Sequence, residues 1–145
     1  MNEPIHNAPS RTAATSLLDG AGLPTVDLTD SHMEHFFYCG PAHAPTGLVG
    51  LELFGEQALL RSLAVADATR SRGLGSALLA HAEQHAHVAG AREIYLLTTT
   101  AEAFFRRHGF STASRNEAPP AIRQSREFAG LCPASAAFMI KRLDR

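Results

Sequence analysis

This sequence of 145 residues has no tryptophan, only two cysteines and no excess of charge of either sign. Lysine and arginine together number 13 against 14 aspartates and glutamates, so the net charge is -1 and no overall field attracts nucleic acid or an anionic membrane. No apolar run is long enough to span a membrane, and neither an internal repeat nor a low-complexity tract occurs. Any site for an anionic group must therefore be local.

The two cysteines, Cys39 and Cys132, lie far apart, and no stretch resembles a signal peptide. We interpret both as free thiols and expect the protein in the reducing cytoplasm. The length is typical of one domain, and a hydrophobic content of 45% is enough to build a core. We expect residues 1–9 to form a flexible N-terminus or a short edge strand, and residues 10–145 to form a single domain.

One stretch, residues 70–76 (Arg-Ser-Arg-Gly-Leu-Gly-Ser), carries the clearest chemical signal. It joins an apolar run that predicts a strand, 59–65, to an amphipathic run that predicts a helix, 74–89. A glycine loop at such a junction leaves backbone N–H groups pointing one way at the positive end of the helix dipole, where they can hold a pyrophosphate. The spacing fits neither common nucleotide loop, because the P-loop lysine is absent and Leu78 stands where a dinucleotide loop has its third glycine.

The other elements follow from capping residues, apolar periodicity and turn signals. Ser10 is a helix cap before four apolar residues on one helical face, and Thr99 with Glu102 has the spacing of a capping box for a helix that carries Phe104 and Phe105. Strands are predicted at 36–39, 48–54, 58–65, 93–97 and 134–142, and a further helix at 121–128. This mixture predicts an α/β fold with a mixed sheet and one strand–loop–helix crossover.

The pattern Arg70-x-x-Gly73-x-Gly75, after Leu63-Ala64-Val65, resembles the acetyl-coenzyme A loop of the GNAT superfamily of N-acetyltransferases. A second motif follows, because residues 101–110 (Ala-Glu-Ala-Phe-Phe-Arg-Arg-His-Gly-Phe) resemble the F-Y-x-x-x-G-F helix of that family. The resemblance implies a GNAT-like sheet, mixed but mostly antiparallel, with helices on both faces. It also implies acetyl-coenzyme A as cosubstrate, with these cofactor-binding residues: Leu63, Ala64, Val65, Arg70, Ser71, Arg72, Gly73, Leu74, Gly75, Ser76 and Phe105.

Three further segments are similar to a group of stand-alone GNAT proteins associated with arsenic-resistance gene clusters, and more distantly to the acetyltransferase domain of bacterial N-acetylglutamate synthases. They are residues 60–65, 96–100 and 128–136. This similarity implies transfer of an acetyl group to a small, amino-acid-like amine. A small-molecule amine and acetyl-coenzyme A are the expected partners, without nucleic acid or membrane, and a homodimer stays open as the assembly.

Two positions depart from the family pattern. Phe105 stands where many members use a tyrosine to protonate the departing thiolate, and Leu59 stands where many have a strand glutamate, so neither side chain can donate or relay a proton. The glutamate synthases also have phenylalanine at the first position, and we therefore expect Phe105→Tyr to be tolerated. The departures leave open a second hypothesis, a GNAT-fold sensor that binds acetyl-coenzyme A or a metalloid and transfers nothing.

Candidates for catalysis and acceptor binding follow from single residues. Glu52 and Glu56 are the nearest carboxylates for a general base, although Glu52 alternates with leucines and could simply face solvent; Ser62 is a second catalytic candidate. Arg61 interrupts an apolar strand, where a lone charge is costly unless it is paired. It either pairs with a protein carboxylate or holds an anionic acceptor, and we predict the second. Cys132 either meets a thiophilic ligand or is a small buried core residue.

Histidines on the predicted helix 74–89 raise the question of a metal site. His81 and His85 lie one helical turn apart, which is a metal-ligand spacing. The sequence offers no third ligand beside them, and the helix face that carries them is expected to be exposed. We therefore predict no metal site.

Overall fold

The computed structural model of the chain describes residues 4–66 and 73–143. Arg70, Ser71 and Arg72 of the predicted pyrophosphate loop lie outside the described residues. The chain divides into two compact units, one formed by Met1–Glu52 with Leu60–Gln84 and the other by Leu53–Leu59 with His85–Arg145.

The described residues form seven strands and four α-helices, together with short 3-10 and π-helical turns. In chain order they are β1 (His6–Asn7), α1 (Arg11–Gly20), a 3-10 turn (His32–His35), β2 (Phe36–Cys39), β3 (Gly47–Phe54), β4 (Gln57–Val65), α2 (Leu74–Val88), β5 (Glu93–Thr98), α3 (Glu102–Arg107), β6 (Ser111–Thr112), a 3-10 turn (Arg115–Glu117), α4 (Pro120–Arg123), a π-helical turn (Glu127–Leu131) and β7 (Ala137–Arg142). Among the described residues, no helix is long and apolar enough to cross a bilayer.

In the first unit the strands are hydrogen-bonded in the order β1-β2-β3-β4, with β4 contributing its residues 60–65. β1 pairs antiparallel with β2 (His6 opposite Tyr38), and β2 pairs antiparallel with β3 (Phe36 opposite Gly50). A two-residue turn, Gly55-Glu56, joins β3 to β4, between the strands predicted at 48–54 and 58–65. The strand predicted at 36–39 is confirmed at both ends.

Helix α1 begins as predicted, because Ser10 Oγ accepts a hydrogen bond from the Ala13 N–H at 3.1 Å. The helix packs on one face of β2–β4, over a cluster formed by Ala14, Leu18, Leu28, Met33, Phe36, Leu48 and Ala64. On the opposite face, the Phe37 ring meets the His81 ring of α2 edge-on at 4.8 Å. Helices therefore cover both faces of the strands in this unit.

In the second unit the order is β4-β5-β7-β6, with β4 contributing residues 57–59. β4 and β5 are parallel from Gln57 opposite Glu93 to Leu59 opposite Tyr95, whereas β5–β7 and β7–β6 are antiparallel. The core of this unit contains Leu59, Tyr95, Ala118, Ile122 and Phe138. With one parallel pair among the described strand pairs, the predicted mixed, mostly antiparallel sheet is confirmed.

One predicted cap and two predicted boundaries are wrong. Thr99 and Glu102 form no capping box; instead the Ala101 N–H, just before α3, donates to Thr98 Oγ1 at 3.0 Å. The helix predicted at 121–128 is interrupted, since α4 ends at residue 123 and the π-helical turn follows. The last strand starts at residue 137 rather than 134 because Ala136 N–H donates to Pro133 O and closes a turn there.

Candidate active site

The Arg61 guanidinium lies buried between two carboxylates of the first unit. NH1 donates to Asp27 Oδ2 at 2.6 Å and to Glu52 Oε2 at 2.7 Å, while NH2 donates to Asp27 Oδ1 at 2.9 Å. The exposed fraction of the side chain is 0% for Arg61, 2% for Asp27 and 15% for Glu52. Arg61 therefore pairs with protein carboxylates, the first of its two alternatives. Asp27 accepts the bidentate hydrogen bonds that an anionic acceptor would need from Arg61. The basis for predicting an acidic acceptor is therefore removed.

Asp27 belongs to the segment between α1 and the 3-10 turn, and no sequence pattern singled it out. Burial on its own would raise the pKa of this carboxyl group, but the hydrogen bonds and the positive charge of Arg61 together outweigh burial, so the pKa lies below its ordinary value of 3.8. Asp27 is consequently ionised at neutral pH. Its negative charge compensates the charge of the buried guanidinium.

Glu52 lies on β3, and the alternative that it simply faces solvent does not hold, because Arg61 and His32 cover it. Its Oε2 atom is fixed by Arg61, whereas no described residue donates a hydrogen bond to Oε1. A carboxylate held by one oxygen, with the other available and part of its surface exposed, has the geometry of a general base.

His32, at the start of the 3-10 turn, faces the same carboxylate. The Thr29 backbone N–H donates to His32 Nδ1 at 3.1 Å, and an N–H can only donate, so Nδ1 must accept. The neutral ring therefore carries its proton on Nε2. The Nε2 atom lies 3.9 Å from Glu52 Oε2, which is too far for a direct hydrogen bond.

Asp27, His32 and Glu52 also form a group of three potential metal ligands, whose ligand atoms lie within 4.8 Å of one another. Among residues 4–66 and 73–143, no second such group occurs. The Arg61 guanidinium already donates to both carboxylates and supplies the positive charge between them. We assign the group to this ion-pair network.

Strand β4 holds one residue more than β3 between two points where the strands face each other. The two-residue turn places Phe54 opposite Gln57, and at the other end Ala66 N–H donates to Thr46 O at 2.8 Å. Eight positions separate Thr46 from Phe54, but nine separate Gln57 from Ala66. The extra residue makes a β-bulge, and Ser62 marks it with a left-handed φ of 63°. Ser62 is buried, and its Oγ accepts from Arg61 Nε at 3.2 Å.

This bulge determines where the backbone of the last part of β4 points. Because Ala66 donates to β3 and alternate residues share an edge, Ala64 also turns its polar backbone groups towards β3, while Leu63 and Val65 turn theirs away from β3. The resemblance assigns that outward edge to the pantetheine arm. The Ala64 side chain is buried in the cluster beneath α1.

The start of α2 has the features expected of a phosphate site. Gly73 has a φ of 79°, a conformation that strains other residues, and the space beside its Cα is open. The helix ladder begins where Ala77 N–H donates to Gly73 O at 3.0 Å, so the N–H groups of Leu74 and Gly75 precede the ladder. These amides, with Ser76 in the same turn, fit a pyrophosphate group.

Two predicted site residues belong to the second unit. Phe105 is buried, and its ring packs edge-on against Phe104 at 5.2 Å and against Phe110 at 5.5 Å. Cys132 is half-buried after the π-helical turn, and its Sγ lies 3.5 Å from Oε1 of the buried Glu127. Cys132 is therefore not a fully buried core residue, and its predicted ligand contact stays a prediction.

Comparison with known proteins gives a consistent result. A family model described as the acetyltransferase (GNAT) domain matches residues 32–112, and no curated protein sequence matches the chain. N-acetylglutamate synthase from Neisseria gonorrhoeae, complexed with coenzyme A and N-acetyl-glutamate, superposes with a TM-score of 0.84 at 24% identity over 100% of this chain and 36% of that one. The chain thus spans about a third of the length of that synthase.

Two further solved structures are similar along their whole length. Rv2747 from Mycobacterium tuberculosis, in complex with coenzyme A, has a TM-score of 0.78 at 19% identity, with 96% of this chain and 98% of that chain covered. An acetyltransferase of the GNAT family from Staphylococcus aureus has a TM-score of 0.76 at 15% identity, with 99% and 100% covered. These structures share the fold, and the family model covers more than half of the sequence. The chain therefore belongs to the GNAT acetyltransferase domain family.

Proposed function

We propose that this protein is an acetyl-coenzyme A-dependent N-acetyltransferase that acts on a small primary amine. The observation that carries the proposal is the backbone geometry at the end of β4 and at the start of α2. The Ser62 bulge turns the polar backbone groups of Leu63 and Val65 away from β3, and Gly73 precedes the first turn of α2 with a left-handed φ. Coenzyme A is present in the similar structures from Neisseria gonorrhoeae and Mycobacterium tuberculosis, which supports the same cosubstrate here.

In the reaction, the lone pair of the amine nitrogen forms a bond to the thioester carbonyl carbon, and the carbon–sulfur bond breaks with its electron pair moving to sulfur. The nitrogen must lose its proton and the sulfur must gain one. We assign the first task to Glu52, directly or through a water molecule, because its Oε1 is the available oxygen of an oriented carboxylate. Ser62 is engaged by Arg61, so we give it a structural role. Because Phe105 has no proton to donate, we assign protonation of the thiolate to water.

The acceptor is proposed to be amino-acid-like, because the Neisseria synthase was solved with N-acetyl-glutamate. An acidic side chain on the acceptor is not proposed, since Arg61 already binds Asp27 and Glu52. A link to arsenic resistance has only the sequence resemblance in its support.

Thiol release tests the proposal directly. The purified protein is mixed with acetyl-coenzyme A and a panel of free amino acids, their amides, simple primary amines and a short peptide, and free coenzyme A is measured with a thiol reagent. We expect release that depends on at least one small amine and an N-acetylated product of the matching mass. Calorimetry with acetyl-coenzyme A accompanies the assay, and absence of binding would overturn the proposal.

A second candidate function is binding of acetyl-coenzyme A without transfer. It is favoured by the two positions that many family members use for proton transfer, because Leu59 and Phe105 are both buried hydrocarbon side chains. Tight binding in the calorimeter without thiol release across the whole panel would select this candidate over the enzyme.

A further inference from the structure

We propose that Asp27 and Arg61 are positioning residues: Arg61 holds Glu52 in one orientation, and Asp27 compensates the positive charge of Arg61 beside it. The proposal rests on the proposed function, and in particular on Glu52 as the general base. Neither Asp27 nor Arg61 is assigned a contact with the substrate.

Hydrogen bonds hold the Arg61 guanidinium in a fixed position. Arg61 uses four of its N–H groups within the first unit: two hold Asp27, one holds Glu52 Oε2 and one reaches Ser62 Oγ. Such an anchored guanidinium cannot rotate without breaking several bonds at once, so its NH1 group is a fixed point for Glu52. The carboxylate then has one defined orientation, with Oε1 directed away from the arginine contact.

Asp27 also compensates the positive charge that Arg61 would otherwise exert on Glu52. A carboxylate that pairs alone with a buried guanidinium is a poor proton acceptor, because the positive charge stabilises its ionised form. Here NH1 donates to Asp27 and Glu52 over nearly equal distances, 2.6 and 2.7 Å, and Asp27 also binds NH2. Asp27 thus neutralises the guanidinium. Arg61 can orient Glu52 through a hydrogen bond without a full positive charge acting on it.

The remaining charged or titratable group in contact with Glu52 is His32, from the 3-10 turn. The Thr29 N–H donates to its Nδ1, so in the neutral ring the proton lies on Nε2, the atom that faces Glu52. The described groups facing Glu52 are therefore Arg61 from β4 and His32 from the 3-10 turn, with Asp27 behind the arginine. Removal of the Asp27 charge should shift the pH dependence of activity in one direction, and a loss of packing alone would not produce that shift.

The test is the pH dependence of kcat/KM for the best amine of the panel, measured from pH 5 to 9 on the full-length protein. Asp27→Asn leaves the charge of Arg61 to act on Glu52 alone, so we expect the acid limb of the profile to move to lower pH by about one unit and the plateau to fall about tenfold. KM for acetyl-coenzyme A should stay within about twofold. Asp27→Glu keeps the charge and should return the acid limb to its wild-type position.

The control is Asp30→Asn, in the same segment, because Asp30 is largely exposed and its ion-pair partner among the described residues is the exposed Arg11. It should leave the profile unchanged. Where Asp27→Asn does not fold, the double variant Asp27→Asn/Arg61→Gln removes both buried charges together and releases Glu52. In that variant kcat should fall at least about tenfold with an unchanged KM for acetyl-coenzyme A.

The results of these measurements distinguish the positioning role from the acetyltransferase function. A wild-type acid limb in folded Asp27→Asn, or wild-type kcat in the double variant, overturns the positioning role and leaves the acetyltransferase function in place. Full activity in Glu52→Gln removes the general base and the positioning role with it, again without touching acetyl transfer. Absence of transfer by the wild-type protein overturns both.

Discussion

Asp27 and Arg61 are 34 positions apart in the sequence, yet both oxygens of the carboxylate accept hydrogen bonds from the guanidinium in a buried, two-pronged contact. One partner lies in an irregular segment after α1, and the other lies on β4. The contact therefore ties a segment without regular structure to the sheet of the first unit.

Asp27→Asn should lower the free energy of unfolding by roughly 3–5 kcal/mol, because it removes one of the two carboxylates that compensate the charge of the buried Arg61 guanidinium. Urea denaturation at pH 7 measures the change. Asp30→Asn is the matched control: its partner Arg11 is 52% exposed, and a change within about 0.5 kcal/mol is expected. Equal effects of the two substitutions would contradict a stabilising buried pair.

The difference in unfolding free energy between the wild type and Asp27→Asn has a predicted pH dependence. The pKa of Asp27 is lowered in the folded protein, so its contribution to stability is complete above the ordinary value of 3.8 and is lost as the pH falls through the lower folded value. The difference in unfolding free energy between the wild type and Asp27→Asn should therefore shrink as the pH is lowered below about 4. A difference that stays constant down to pH 2.5 would show that the carboxylate is not held ionised.

Tyr95 should make the second unit sensitive to alkali. Burial, followed by the hydrogen bond and charge of Glu93, raises the pKa of its hydroxyl from 10.0 to about 12. A raised pKa means that the stabilising contribution is complete below pH 10 and is lost as the pH rises towards 12, by roughly 2–3 kcal/mol in all. Tyr95→Phe should remove this part of the alkaline loss, and Tyr38→Phe, which keeps Tyr95, should not. Denaturation of the three proteins at pH 9 and 11.5 decides the point.

Ser62→Gly should be neutral or stabilising by up to about 1 kcal/mol, although Ser62 is buried. Glycine removes the strain of a left-handed φ of 63°, and this gain is partly offset by the lost hydrogen bond from Arg61 Nε. Ala8→Gly is the comparison, since Ala8 is exposed with a φ of 56° and its methyl group accepts no hydrogen bond. Thermal melting measures both. A loss above about 2 kcal/mol in Ser62→Gly would mean that the hydroxyl group outweighs the strain.

Gly73→Asp should weaken acetyl-coenzyme A binding at least about 100-fold, because it adds a negative charge and a side chain where the pyrophosphate is expected. Gly55→Asp, in the turn between β3 and β4, matches it in charge and in backbone strain, with a φ of 69° against 79° at Gly73. Calorimetry on the two folded variants should show the loss in the first alone. Equal affinities would place the pyrophosphate elsewhere.

Phe105→Tyr should destabilise the protein by about 1–3 kcal/mol, contrary to the tolerance expected from the family resemblance. Phe105 is 5% exposed between two other rings, and a hydroxyl group placed there needs a hydrogen-bond partner. Phe104→Tyr is the matched control, because Phe104 is only half-buried and its hydroxyl group can reach water. An unchanged melting temperature for Phe105→Tyr would show that a partner exists.

Local patterns predicted most of the fold, because the signals for caps, hairpins and amphipathic helices lie within a few residues of one another. Ser10, the turn between β3 and β4, and the apolar face of α2 are of this kind. Two failures were also local. The hydrogen bond before α3 is accepted by Thr98 rather than by the predicted Thr99, and the turn at Pro133–Ala136 shortens β7. In both places several groups within three residues could form the local hydrogen bond, and the sequence does not say which one does.

The site was only half predictable, because contacts between segments that are distant in the sequence form it. Arg61 carried a clear signal, since a lone charge within an apolar strand must have a partner, but the sequence could not say whether the partner was protein or substrate. Asp27 carried no signal of its own, being one acidic residue in an irregular segment. The pair becomes visible only when the segment after α1 and the middle of β4 lie side by side.

The bulge at Ser62 makes the site depend on the backbone conformation of β4 as well as on the identity of its residues. Side chains and backbone groups alternate along a strand, so a regular ladder that continued through Ser62 would turn the polar groups of Leu63 and Val65 towards β3. It would also move the Ala64 side chain to the face opposite Arg61, out of the core beneath α1. Deletion of this one serine would instead leave eight positions on each strand and keep Ala66 opposite Thr46. The left-handed conformation at Ser62 therefore determines which edge of β4 faces outwards over the three residues that follow.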